Sequence, residues 1–175
     1  MTTLTAPAAP AVSRPIRWAA RGAALTLVPS GLWRIAIAVG IPVGWGVGSG
    51  LEAELFPGVW SFPLVALSAL AEALGLLTLG LVQPWGEVVP HWIPWLGGRR
   101  IPPLAAVVPA ALGATAVILV TVLGMFTWST NMAAPGAPSG AYWWLMTLCY
   151  APLLLWGPLL GVVTVAYWRR RRIHG

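Results

Sequence analysis

Four long apolar runs, almost free of charge, restrict this chain more than any other feature of its sequence. They cover residues 33–50, 60–83, 102–128 and 142–168. A helix needs about 20 residues to cross the hydrocarbon core of a bilayer, and the last three runs reach that length. Only 8% of the residues are charged, whereas a soluble domain carries about 25%. The sequence therefore predicts an all-α, polytopic membrane protein with a bundle of four transmembrane helices.

The positions of the arginines predict the orientation of these helices. Arginines lie before the first run or at its edge, between the second and third runs, and after the fourth. The connections after the first and third runs carry none. Because cytoplasmic segments are enriched in basic residues, we expect both termini to be cytoplasmic, in a multi-pass protein of the inner (plasma) membrane. This placement beside apolar runs also argues against nucleic acid as a partner, despite the net charge of +6.

The segments outside the runs are expected to contact membrane lipids. Residues 1–32 are predicted as a cytoplasmic tail, disordered at first and then basic and interfacial, and residues 169–175 as a second basic tail. The spacing of three arginines around a tryptophan suits a short amphipathic helix on the anionic inner leaflet, or a plain basic flank. These residues are Arg14, Arg17, Trp18 and Arg21.

Small residues recur every fourth position in three of the runs, and such spacing lets helices approach closely. The ladders are Gly40, Gly44 and Gly48, then Ala106, Ala110 and Ala114, and finally Gly157 and Gly161. These ladders could form helix–helix contacts within one chain, between copies in a homo-oligomer, or with another protein. The sequence leaves these three alternatives open.

Glu72 places a carboxylate near the middle of the second run. An acidic residue at that depth costs about 2.5–3.5 kcal/mol on insertion scales, so polar partners are expected. Since only Arg34 falls within a run, near its end, we expect no ion pair and a neutral acid. Glu72 is the candidate catalytic acid and a candidate ligand-binding residue. The other candidate ligand-binding residues, at similar depth, are Ser68, Thr115, Tyr150 and Trp156. The alternative is a structural hydrogen bond between helices.

The connection between the second and third runs, QPWGEVVPHWIPWLGGRRIPP, holds the remaining candidates. Glu87 and His91 would form an acid–base couple, and Arg99 and Arg100 would hold a lipid phosphate. The favoured alternative is an interfacial loop whose arginines fix the topology. One histidine with one carboxylate is too few for a metal site, and no cofactor-binding motif occurs, so neither metal nor cofactor is expected.

Two stretches carry a family resemblance: GLLTLGLVQPWGEVVPHWIPWLGGRRIPPLAAVVPAALGA and LLLWGPLLGVVTVAYWRRR. Together they resemble an uncharacterised group of small four-helix integral membrane proteins from actinobacteria. The resemblance implies a class of protein and no mechanism, and no catalytic residue follows from it.

Three functions remain from the sequence. The first is a non-enzymatic accessory or interaction protein, favoured because the alternatives depend on one residue. The second is a binding protein or enzyme for a lipid or isoprenoid, in which Glu72 is the acid. The third is a proton-coupled exporter working as a dimer, although small exporters of that kind carry their carboxylate on the first helix and this chain has it on the second.

Overall fold

The computed structural model describes residues 12–45, 58–89, 91, 94–95 and 97–173. Within them lie the helices α1 (Arg14–Leu25), α2 (Val28–Ala38), α3 (Ser61–Gly80), α4 (Pro103–Met132), α5 (Ala141–Tyr150) and α6 (Leu153–Ile173). A short 3-10 turn spans Pro84–Gly86. No strand occurs in this described part, and one isolated antiparallel bridge joins Val88 to Arg100. The prediction of an all-helical protein is confirmed.

Three helices are long and apolar enough to cross a membrane: α3, α4 and the nearly continuous α5–α6 segment, Ala141–Arg172. Large apolar side chains cover their outer surfaces. Phe62 and Phe126, for example, are each 80% exposed. Such a surface is unfavourable in water and matches hydrocarbon, so the helices and their surfaces are those of a membrane protein.

The first predicted span, 33–50, differs from the helix found there. α2 begins earlier, at Val28, and ends at Ala38. It ends there because Gly40, with φ of 80°, closes a Schellman motif in which Ile41 N donates to Ala36 O across 2.9 Å. Pro42 follows and cannot continue the helix. Residues 46–50 of the predicted span, and residues 1–11 of the predicted disordered tail, lie outside the described residues.

A helical rod, made of α1 and α2, occupies residues 14–38, and its first part is the segment predicted to be interfacial. Thr26 and Leu27 link α1 to α2 with helical dihedral angles, and Thr26 N donates to Gly22 O across 3.0 Å. Pro29 has no N–H to donate to the preceding turn, which favours a bend at this point. Ala20 and Ala23 are fully buried, so one face of α1 packs within the bundle.

Four helical units, namely the α1–α2 rod, α3, α4 and the α5–α6 segment, alternate in direction, and their packing defines two ends of the bundle. α1 packs against α3 and α6, α2 against α3 and α5, and α4 against α6. Ala20 shares a buried cluster with Leu81, just after α3, and Ile16 lies near Tyr167 at the end of α6. The start of α1, the connection of residues 81–102 and the end of α6 therefore share one end of the bundle, here called the arginine end. The residues from 169 to Ile173, predicted as a tail, continue α6 there.

Close packing of α4 on α6 uses the alanine and glycine ladders. A Cβ added at Gly157 would lie 2.5 Å from Ile118 Cγ1 and 3.3 Å from Ala114 O. The predicted Gly40–Gly44 ladder is not helical, since both residues have positive φ. Gly48 lies outside the described residues.

Candidate functional site

An apolar cavity of about 460 Å³ separates α3 from α4. Leu74, Leu77 and Thr78 of α3 form one wall, and α6 supplies Trp156 and Leu160. The facing wall of α4 consists of small or compact residues: Ala106, Pro109, Ala110, Gly113 and Val117. These residues leave space because their side chains are too short to reach α3. None of the described residues that line the cavity is charged.

The connection after α3 closes the cavity at the arginine end. Trp85, Gly86, Val89 and Ile101 line it there. Trp85 packs so closely that a Cβ added at Gly80 would lie 2.6 Å from its ring. Its Nε1 donates to Gln83 Oε1 across 2.7 Å, which fixes the ring orientation.

The end of α6 holds this connection in place. Arg170 donates to Glu87 Oε1 across 2.7 Å and to Leu81 O across 3.2 Å. Arg171 donates to Ile101 O across 2.9 Å, and its Nη1 lies 3.7 Å from Glu87 Oε2. The Tyr167 hydroxyl donates to Gly86 O across 3.2 Å. The carboxylate of Glu87, with 26% of its side chain exposed, thus joins two arginines to the wall of the cavity.

The structure does not bring the four candidate residues of the connection, Glu87, His91, Arg99 and Arg100, together in one site. Glu87 bonds to the α6 arginines, and no hydrogen bond or ion pair joins it to His91. His91 lies against Gly98, where an added Cβ would come within 3.0 Å of its Cε1. Arg99 and Arg100 are exposed, and no hydrogen bond or ion pair of their side chains is found in the described part of the chain.

Glu72 lies at the interface between α2 and α3. Its Oε1 is 3.1 Å from the position of a Cβ added at Gly31, so the carboxylate packs on the backbone of α2. One turn along, Arg34 Nε donates to Ser68 Oγ across 3.1 Å, and the guanidinium lies 5.9 Å from the Tyr150 ring centroid. The structure therefore groups Ser68 and Tyr150 around a cation, one turn from the candidate acid.

Thr115 and Trp156 do not belong to this group. Thr115 is exposed and its hydroxyl donates to Ala111 O across 2.9 Å, within its own helix. Trp156 lines the cavity.

Sequence reasoning missed Arg34, which is only 7% exposed. Arg34 lies at the edge of the apolar run that begins at residue 33, so it is peripheral by hydrophobicity. The signal that could find it is the apolar and small-residue sequence before residue 33, which forms α1 and the start of α2.

No group of three histidine, cysteine or acidic side chains suited to a metal ion occurs among the described residues. No protein-family model matches the chain, and no curated protein or solved structure matches it significantly either.

Proposed function

We propose that this chain is a non-enzymatic membrane protein that binds one lipid-like molecule in the cavity between α3 and α4. The observation that carries the proposal is the cavity itself. Its volume of about 460 Å³ lies in the range of about 300–1,000 Å³ typical of small-molecule sites. Its walls are two of the apolar helices, so an occupant would come from the surrounding hydrocarbon.

The proposal includes four membrane crossings, with the arginine end at the cytoplasmic face of the plasma membrane. The rod from Arg14 to Ala38 is the fourth crossing, because it runs beside α3 over the full height of that helix. Ala20 and Leu81 belong to one buried cluster at one end, and Ile37 and Leu64 belong to another at the other end. The concentration of arginines at one end supports the orientation.

A binding role is better supported than catalysis or transport. The described residues that line the cavity include no carboxylate, and their one hydroxyl, of Thr78, donates to Leu74 O within its own helix across 3.1 Å. Glu72 faces Gly31 at the α2–α3 interface and is absent from the lining. An accessory role, in which the bound lipid stabilises the helix pair, is compatible with this site.

The test is native mass spectrometry of the purified full chain, comparing Gly113→Phe with Gly124→Phe. A Cβ added at either glycine meets no atom within 4 Å, so both variants should fold. Both glycines belong to α4, but only Gly113 lines the cavity. We expect a discrete lipid mass in the wild type and in Gly124→Phe, and its loss in Gly113→Phe. Equal lipid content in the two variants would refute the proposal.

Glu72→Gln provides a second comparison. Because Glu72 lies outside the cavity lining, this variant should retain the bound lipid. Its loss from a folded Glu72→Gln protein would instead support the alternative in which Glu72 binds the ligand.

A further inference from the structure

We infer that the ligand is an anionic phospholipid, with an acyl chain in the cavity and its phosphate against Arg99 and Arg100. The inference rests on the proposed function and adds the chemical class of the ligand. It depends on two observations: the balance of charge at the arginine end, and the position of these two arginines relative to the cavity.

The charge balance leaves Arg99 and Arg100 uncompensated. Glu87 is the acidic side chain found at this end in the described part of the chain, and its two oxygens are directed toward Arg170 and Arg171. Arg170 and Arg171 thus have a protein carboxylate as counter-charge. Arg99 and Arg100 are exposed, and no carboxylate of the described residues lies within salt-bridge distance of them.

The backbone places these two arginines at the closed end of the cavity. Val89 N donates to Arg99 O across 3.0 Å, and Arg100 forms the isolated bridge with Val88. Val89 and Ile101, the immediate neighbours in this pairing, both line the cavity. Arg100 is thus the sequence neighbour of Ile101, which lines the cavity, and the Cα atoms of such neighbours are about 3.8 Å apart.

This arrangement fits a phosphate better than an uncharged head group. Guanidinium groups bind phosphate oxygens with paired, charge-assisted hydrogen bonds. Basic sites between membrane helices at the cytoplasmic face are suited to anionic head groups. A zwitterionic phospholipid carries its own cation beside the phosphate, so it gains less from two free arginines.

The test uses the full chain in nanodiscs of equal parts phosphatidylglycerol and phosphatidylcholine, with the retained lipids identified by native mass spectrometry. We compare Arg99→Gln/Arg100→Gln with Arg14→Gln/Arg17→Gln. All four arginines are exposed, and each double variant removes two positive charges near the arginine end. Arg14 and Arg17, however, do not adjoin the cavity. We expect phosphatidylglycerol to be enriched in the wild type and in the second variant. In the first variant, enrichment should fall by about fivefold for each arginine removed.

The outcomes separate this inference from the proposed function. Unchanged enrichment in Arg99→Gln/Arg100→Gln would overturn the head-group assignment and leave the cavity as a lipid site. An equal loss in both arginine variants would also overturn it, because the effect would then be one of general charge. Retention of lipid by Gly113→Phe would instead refute the cavity as the binding site. When an isoprenoid phosphate is added to the nanodiscs, its preferential retention over phosphatidylglycerol would overturn the phospholipid assignment.

Discussion

Arg34 of α2 donates a hydrogen bond from Nε to Ser68 Oγ of α3, across 3.1 Å and within the helix interface. Its Nη2 also lies 3.5 Å from Ser30 Oγ. Serine hydroxyls solvate the guanidinium but do not neutralise it. Among the described residues, the acidic side chain along this interface is Glu72, one turn further along α3 and packed on Gly31. A buried cation and a partly buried carboxylate are thus offset by about one helical turn, ~5.4 Å.

This offset predicts an energetic coupling between Arg34 and Glu72. Removing either side chain's polar group leaves the other with fewer polar neighbours in a medium of low dielectric constant. We therefore expect Arg34→Gln and Glu72→Gln each to lower the free energy of unfolding in detergent. The double variant should lose less than the sum of the two single losses, with a coupling of about 0.5–3 kcal/mol. Thr115→Ala is the control, since the Thr115 hydroxyl bonds only within its own helix. If the losses of unfolding free energy in the two single variants add up to the loss in the double variant, Arg34 and Glu72 do not interact.

The ion pair between Glu87 and Arg170 should limit local opening of the connection of residues 81–102. Glu87→Gln keeps the shape of the side chain but removes the charge that bridges Arg170 and Arg171. Local opening of the connection should become more frequent, and trypsin should then cleave faster after the exposed Arg99 and Arg100. A severalfold rise in cleavage rate is expected, since a pair that is partly exposed to solvent contributes about 1 kcal/mol or less.

Salt provides the internal control for this experiment. Added salt should speed cleavage of the wild type, because it screens the ion pair, and should change Glu87→Gln much less. If the two proteins are cleaved at the same rate in low salt, the ion pair does not hold the connection.

The close approach of α4 and α6 predicts opposite results for two glycines of one ladder. A Cβ at Gly157 would lie 2.5 Å from Ile118 Cγ1 and 3.2 Å from the Ile118 backbone nitrogen. Gly157→Val should therefore force the helices apart and destabilise the protein by about 1–3 kcal/mol. Gly161→Val should be nearly neutral, because its added Cβ meets nothing within 4 Å. Thermal unfolding in detergent measures both, and equal losses would contradict the packing described.

Much of the fold is predictable from hydrophobicity alone, because lipid-facing helices must be apolar throughout. The second and third runs, 60–83 and 102–128, overlap α3 and α4 closely. The first run does not, since Gly40 and Pro42 end α2 while the averaged hydrophobicity continues past them. The true helix extends backward through a stretch with three arginines, which hydrophobicity alone cannot identify as part of the bundle.

The site was less predictable, because it depends on helix rotation and on contacts between distant parts of the chain. The i, i+4 spacing did place Ser68 and Glu72 on one face. The sequence could not show that Arg34 joins them, since that follows from the register of α2 on α3. Nor could it show that Glu87 pairs with Arg170, 83 positions away, instead of with the nearby His91. The cavity exists because α4 packs against α6 and stands apart from α3. No local sequence pattern predicts which of these helices pack together.

The proposed orientation predicts the labelling of two serines that lie at opposite ends of the bundle. Ser13 precedes α1 at the arginine end, and Ser139 lies in the connection between α4 and α5, and both are exposed. The substitution Cys149→Ser removes the sole native cysteine. In that background, Ser13 and Ser139 can each be changed conservatively to cysteine. We expect a membrane-impermeant maleimide to label Ser139→Cys in intact cells and Ser13→Cys only after permeabilisation. The reverse pattern would invert the orientation, and labelling of both in intact cells would mean that the α1–α2 rod does not cross the membrane.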